Sequence, residues 1–176
     1  MNEYLDLMAR LGRNAGDAIL KVYEEMEFGI ETKADNSPLT DADLVAHKII
    51  IEGLVAEAPD IPVLSEESSK ISWAERSVWQ RYFLVDPLDG TKEFISRNGE
   101  FTVNIAYIEN GIPIAGIVYV PVEKVLYRAD RSIGMATVTR NGKEVSIRSR
   151  RLRENLPLTV VASRRHGGEA LNSFVA

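Results

Sequence analysis

Two aspartates stand three positions apart in Asp86-Pro87-Leu88-Asp89-Gly90-Thr91, directly after the apolar run Tyr82-Phe83-Leu84-Val85. Such a run reads as a buried strand, held by packing of its apolar side chains. Ending it in two carboxylates is costly unless a cation neutralises them. Oxygen donors of this kind suit magnesium, a hard ion that keeps several waters and is held by a few carboxylates together with a substrate phosphate. Glu66 and Glu67, in Leu64-Ser65-Glu66-Glu67-Ser68, follow a second short apolar segment and offer a third carboxylate. Pro87 presets its own φ, Gly90 permits close backbone approach, and Asp89-Gly90-Thr91 opens a short helix through Ile95. Amides at a helix start, with the positive end of the dipole, favour a phosphate. The pattern is that of a metal and phosphate site. A plainer reading stands beside it, because Asp-Pro and Asp-Gly are common turn dipeptides whose carboxylates can simply be solvated.

Two further residues carry the same double reading. Asp43, in Thr40-Asp41-Ala42-Asp43, begins a helix and is either a capping carboxylate or part of the site. The Thr91 hydroxyl either caps the short helix or orients a water that attacks phosphorus. If both face the metal, an Asp-Thr pair accepts and relays the proton of a metal-activated water.

These groups need a frame. Leu5, Met8, Leu11, Ala15, Ala18, Ile19 and Val22 recur at helical spacing and predict an amphipathic helix from about Glu3 to Glu25. An extended piece at Ile30-Glu31-Thr32-Lys33 and a polar loop from Ala34 to Pro38 come next. A second helix follows, N-capped by Thr40, with Leu44, His47, Ile51, Leu54 and Val55 as its buried face and Pro59 as its stop. His47 at that period reads as a packed, hydrogen-bonded histidine rather than a ligand, and Trp73 and Trp79 as packing residues. From Phe101 the period changes to alternation through Ile108, turning at Asn110-Gly111 and returning from Ile114 to Val120. Further strands are expected at Val125-Leu126-Tyr127, at Ala136 to Val138 and Val145 to Ile147 around Asn141-Gly142, and at Leu158 to Val161. Helices first and antiparallel strands afterwards give an α+β class, two long helices packed on a mainly antiparallel sheet.

Composition narrows the function. At 176 residues and 45% hydrophobic content the chain suits one ordinary domain. A formal charge of -5 with no basic stripe disfavours a nucleic-acid polymer as partner. The cluster Arg148-Ser149-Arg150-Arg151-Leu152-Arg153 reads as a solvated connection that could attract a small polyanion or an acidic membrane surface. The absence of cysteine removes disulfides, thiolate nucleophiles and soft-metal sites. No apolar run approaches the ~20 residues of a membrane span, and Met1 to Asp6 lacks the pattern of a secretory signal. A cytoplasmic location is expected, with peripheral contact at the inner face of the membrane left open. No Walker loop, dinucleotide fingerprint, HExxH or GxSxG pattern is present.

Taken in order, Thr40-Asp41-Ala42-Asp43, Leu64-Ser65-Glu66-Glu67-Ser68 and Asp86-Pro87-Leu88-Asp89-Gly90-Thr91 resemble the motifs of the lithium-sensitive, magnesium-dependent phosphatases of the inositol monophosphatase family. Lys33-Ala34-Asp35-Asn36-Ser37-Pro38-Leu39-Thr40 and Asp89-Gly90-Thr91-Lys92-Glu93-Phe94-Ile95 are most similar to the bacterial bisphosphate nucleotidases within it. The resemblance implies that Glu66, Asp86, the carbonyl of Leu88 and Asp89 ligate two or three magnesium ions. It implies that Gly90 and Thr91 receive the phosphate beside Glu66, Leu88 and Asp89, and that Thr91 with Asp43 activates water. Ser163 and His166, in Ser163-Arg164-Arg165-His166, fall where the family meets the nucleotide, although Arg165 departs from the usual Ser. The implied substrate is a small bisphosphorylated nucleotide, adenosine 3',5'-bisphosphate, which loses its 3'-phosphate. The alternatives are inositol monophosphate hydrolysis and an inactive module that keeps metal or phosphate affinity. The family continues into a second α/β half with a Trp-Asp-x-Ala motif that residues 1-176 lack, since Trp73 precedes Ala74 and Trp79 precedes Gln80. The chain is therefore expected to be the N-terminal α+β part.

Overall fold

The computed structural model describes residues 2–25, 29–32, 38–68, 71–151, 157, 159, 161 and 173–174. Helix α1 spans Leu5–Glu24 and α2 spans Asp41–Glu57, with the short hairpin β1 (Ile30–Thr32) and β2 (Pro38–Thr40) between them. Next come β3 (Val63–Ser65), a single turn α3 (Trp73–Arg76), β4 (Arg81–Asp89) and the short α4 (Thr91–Ile95). The meander β5 (Thr102–Glu109), β6 (Ile112–Val120), β7 (Val125–Asp130), β8 (Met135–Arg140) and β9 (Lys143–Ser146) completes a seven-stranded sheet in sequential order from β3 to β9. The α+β architecture and the Asn110-Gly111 and Asn141-Gly142 hairpins agree with the sequence. The expected strand at 158–161 and the expected loop at 34–38 lie largely outside the described residues, and Pro38 belongs to β2 rather than to the loop.

Strand alternation divides the sheet into two faces. Phe83, Val85, Val103, Ile105, Ile117 and Tyr119 are buried on the face that carries the two helices. Helix α1 lies close on β6 because its contact stripe is small there. A methyl group on Gly12 would stand 2.7 Å from Ile117 Cδ1, and one on Gly16 2.5 Å from Tyr119 Cε1. The end of α1 is fixed by an aromatic triad, with Tyr23 5.1 Å from both Phe94 and Phe101, and those two 5.4 Å apart. Burying each of the two phenylalanines contributes roughly 1.5–3 kcal/mol. The triad therefore clamps α4, and with it Thr91, onto the sheet.

Three expectations change. The predicted buried face of α2 is rotated: Ala42, Ala46, Ile50 and Leu54 are buried, whereas Leu44 and Val55 are 45% and 55% exposed. Apolar residues surround this helix almost evenly, so its period selects no face, and the alanines turn inward because they allow closer approach. Trp73 does not pack into the core; it is exposed, with the Arg76 guanidinium 5.5 Å over its ring. Strand β4 does not stop at Val85 but runs through to Asp89, its register shifting between Asp86 and Asp89. Pro87 has no amide to give the ladder, and the irregularity absorbs it.

Candidate functional site

The one parallel pairing in the described sheet is between β3 and β4, with Ser65 opposite Val85. Two strands that run the same way end at the same side of a sheet. The Glu66 amide donates to the Val85 carbonyl at 3.0 Å, so Glu66, just past the end of β3, stands beside Asp86 of β4. Asp89 is the last residue of β4, beyond the irregularity.

Asp86 is the electrostatic centre of this group. Burial pushes its carboxyl up to about 7, helped by the like charges of Glu66 and Asp89 and by a hydrogen bond with the Glu66 carboxylate that only a protonated Asp86 can donate. The Leu88 amide donates to it and acts in the opposite direction. Its Oδ1 is buried with no hydrogen-bond partner. Glu66 and Asp89 are exposed. The three carboxylates thus lie within each other's fields, yet among the described residues no three His, Asp or Glu side chains close around a common point as a finished ion cage. An unpartnered buried oxygen among oxygen-only donors is the setting in which a hard divalent cation removes both the repulsion and the desolvation cost.

Asp43 caps α2 and also reaches Thr91. It is the third residue of α2 and completes a capping box, its Oδ2 accepting from the Thr40 amide at 2.7 Å and the Thr40 hydroxyl at 2.5 Å. Its Oδ1 accepts from the Thr91 hydroxyl at 3.2 Å. Thr91 also approaches the Leu88 carbonyl at 3.4 Å. Gly90, just before α4, has φ 99°, and a Cβ there would lie 2.9 Å from the Glu100 carbonyl oxygen. Only glycine meets both conditions without strain.

One neighbour escapes the sequence reading. Asn104 on β5 stands opposite Asp86 in register, and its amide donates to Asp89 Oδ2 at 3.1 Å while its own oxygen accepts from Thr102 at 3.0 Å. The signal was there, since Asn104 is the one amide in Val103-Asn104-Ile105-Ala106. His47 Nδ1 lies 2.9 Å from Ser65 Oγ, and burial lowers its pKa. His47 is thus the hydrogen-bonded histidine expected. Ser163 and His166 lie outside the described residues. A concavity of about 960 Å³ runs from Glu66, Asp86 and Asn104 across the sheet face opposite the helices, lined further by Leu84, Ala106 and Val118. No helix among the described residues is long and apolar enough to cross a membrane.

With this geometry established, the likeness to known proteins is specific. The model of the inositol monophosphatase family matches residues 1–174. The 3'(2'),5'-bisphosphate nucleotidase CysQ of Escherichia coli K12 is 49% identical over 172 residues, covering 97% of this chain and 68% of that protein. The crystal structure of CysQ from Bacteroides thetaiotaomicron superposes with a TM-score of 0.75 and 39% identity, over 97% of this chain and 66% of that one. An IMPase/NADP phosphatase crystallised with Mg2+ and phosphate superposes with a TM-score of 0.64 and 25% identity, over 78% of this chain and 50% of that one. The chain spans about two thirds of the length of its CysQ relatives. Matched along nearly its whole length, in fold as in sequence, the chain belongs to the inositol monophosphatase family.

Proposed function

We propose that this chain is the N-terminal metal- and phosphate-binding part of a magnesium-dependent phosphomonoesterase that removes the 3'-phosphate of adenosine 3',5'-bisphosphate, giving AMP and phosphate. The observation that carries the reading is Asp86, half-buried between two further carboxylates with one oxygen unpartnered. The substrate is supported by the activity named for the CysQ relatives, and the metal by the ion named in the IMPase/NADP phosphatase structure.

Glu66, Asp86, the Leu88 carbonyl and Asp89 would hold the ions, which when bound lower the pKa of a water and stabilise charge on phosphoryl oxygens. Thr91 Oγ1 takes a hydrogen bond from the attacking water while its own proton points at Asp43 Oδ1. Thr40 holds the other oxygen of Asp43, so the carboxylate cannot swing away from Thr91. The Gly90 and Thr91 amides receive phosphate oxygens, and Ser163 with His166 is assigned to the nucleotide.

Phosphate release from adenosine 3',5'-bisphosphate and from inositol 1-phosphate, assayed side by side with magnesium, tests this. The bisphosphate should be the better substrate. Preference for inositol phosphate would install the alternative substrate, and magnesium binding without turnover of either would leave only a metal-binding module.

A further inference from the structure

We infer that His47 is a positioning residue for the carboxylate of Glu66, acting through the Ser65 hydroxyl; this rests on the metal site proposed above. Ser65 ends β3 and is buried, pinned through its backbone by pairing with Val85 and by the turn in which the Ser68 amide donates to the Ser65 carbonyl at 3.1 Å. Its side chain turns toward α2, where His47 Nδ1 meets it at 2.9 Å. Glu66, the next residue, goes the other way, toward Asp86. The hydroxyl and the carboxylate thus leave opposite sides of one stretch of backbone. An anchor on the first sets where the second emerges.

Helix α2 makes a matching contact one turn earlier. Asp43 and His47 are four residues apart and share a helix face. Asp43 reaches Thr91 beyond the end of β4, and His47 reaches Ser65 at the end of β3. A single rigid helix therefore registers both acid-bearing strand ends relative to each other. The His47 contact thus adds a side-chain anchor on α2 to the short pairing of β3 with β4. The bond is available to a neutral imidazole in either tautomer, because a serine hydroxyl can donate or accept.

The test is a magnesium titration of the whole chain followed by thermal shift or calorimetry, with no substrate present. His47→Leu keeps the packing volume and loses the hydrogen bond. It should raise the magnesium midpoint by about 10-fold or more, in the range usual for outer partners of metal ligands. His47→Asn, whose amide can stand near the place of Nδ1, should restore the midpoint to within about threefold of wild type. Ser65→Ala should reproduce the leucine loss, and the double variant should lose no more than either single one. An unchanged midpoint in both His47→Leu and Ser65→Ala would overturn the inference. A larger loss in His47→Asn than in His47→Leu would also overturn it, because the role would then be packing rather than the hydrogen bond. If wild type shows no magnesium response, the metal reading falls first and the inference falls with it.

Discussion

Asp43 Oδ1 accepts the Thr91 hydroxyl at 3.2 Å while Asp43 Oδ2 is held by Thr40, so one carboxylate both caps a long helix and orients a threonine on a short one. Substitutions at Thr91 should separate these roles. Thr91→Ser should retain phosphate release within about tenfold, and Thr91→Val should lose roughly 10²–10⁴-fold with magnesium binding preserved. Equal rates in the valine variant would remove the proton relay.

Asp86→Asn should stabilise the metal-free protein. It removes the like charge lying between Glu66 and Asp89 at nearly constant volume, for a gain on the order of 1–3 kcal/mol after allowance for solvent screening. The same change should abolish the stabilisation by magnesium. Urea denaturation with and without the ion measures both, and a destabilised, magnesium-responsive variant would count against the site.

Asn104→Ala should release Asp89, whose Oδ2 it holds at 3.1 Å. A magnesium midpoint raised about 10-fold, with little change in metal-free melting, is expected. Asn104→Asp should instead lower the metal-free melting temperature, because it sets a fourth negative charge beside the group.

Gly90→Ala should cost about 1–2 kcal/mol from the left-handed backbone, with more from the 2.9 Å approach to the Glu100 carbonyl. Chemical denaturation checks it. A neutral result would mean that α4 can shift freely.

Asp130 contributes to acid sensitivity. Hydrogen bonds from the Ser132 hydroxyl, with those from the Asn2 and Ser132 amides, outweigh burial and hold its pKa below 3.8. A carboxylate depressed in the folded state stabilises above its unfolded pKa, and that contribution is lost as pH falls through the folded value. Asp130→Asn should therefore lower the neutral-pH urea midpoint and flatten the decline toward acid. An unchanged acid slope would show that this clamp does not govern it.

Much of this was legible in the sequence where one local cause dominates. Thr40 with Asp43 gave the start of α2, the two Asn-Gly pairs gave their hairpins, and the spacing of Asp86 and Asp89 gave the acidic group. What failed had competing causes. Pro87 looked like the end of a strand because a ladder bond is missing there, and only tertiary pairing with β5 shows that the strand continues past it. The inward face of α2 was hidden because its apolar residues lie on all sides. The links from His47 to Ser65 and from Asn104 to Asp89 join elements whose adjacency depends on topology, which spacing along the chain does not encode.

The alternation at Ser65 and Glu66 makes strand alignment and chemistry a single variable. Were β3 to slip by one residue against β4, the carboxylate would be driven under the sheet against His47 and the hydroxyl would be thrown among the acids. A chain misaligned there would lose its ion-binding group and strand a charge in the interior at once, so faulty folding in this strand cannot yield a stable, ion-competent impostor.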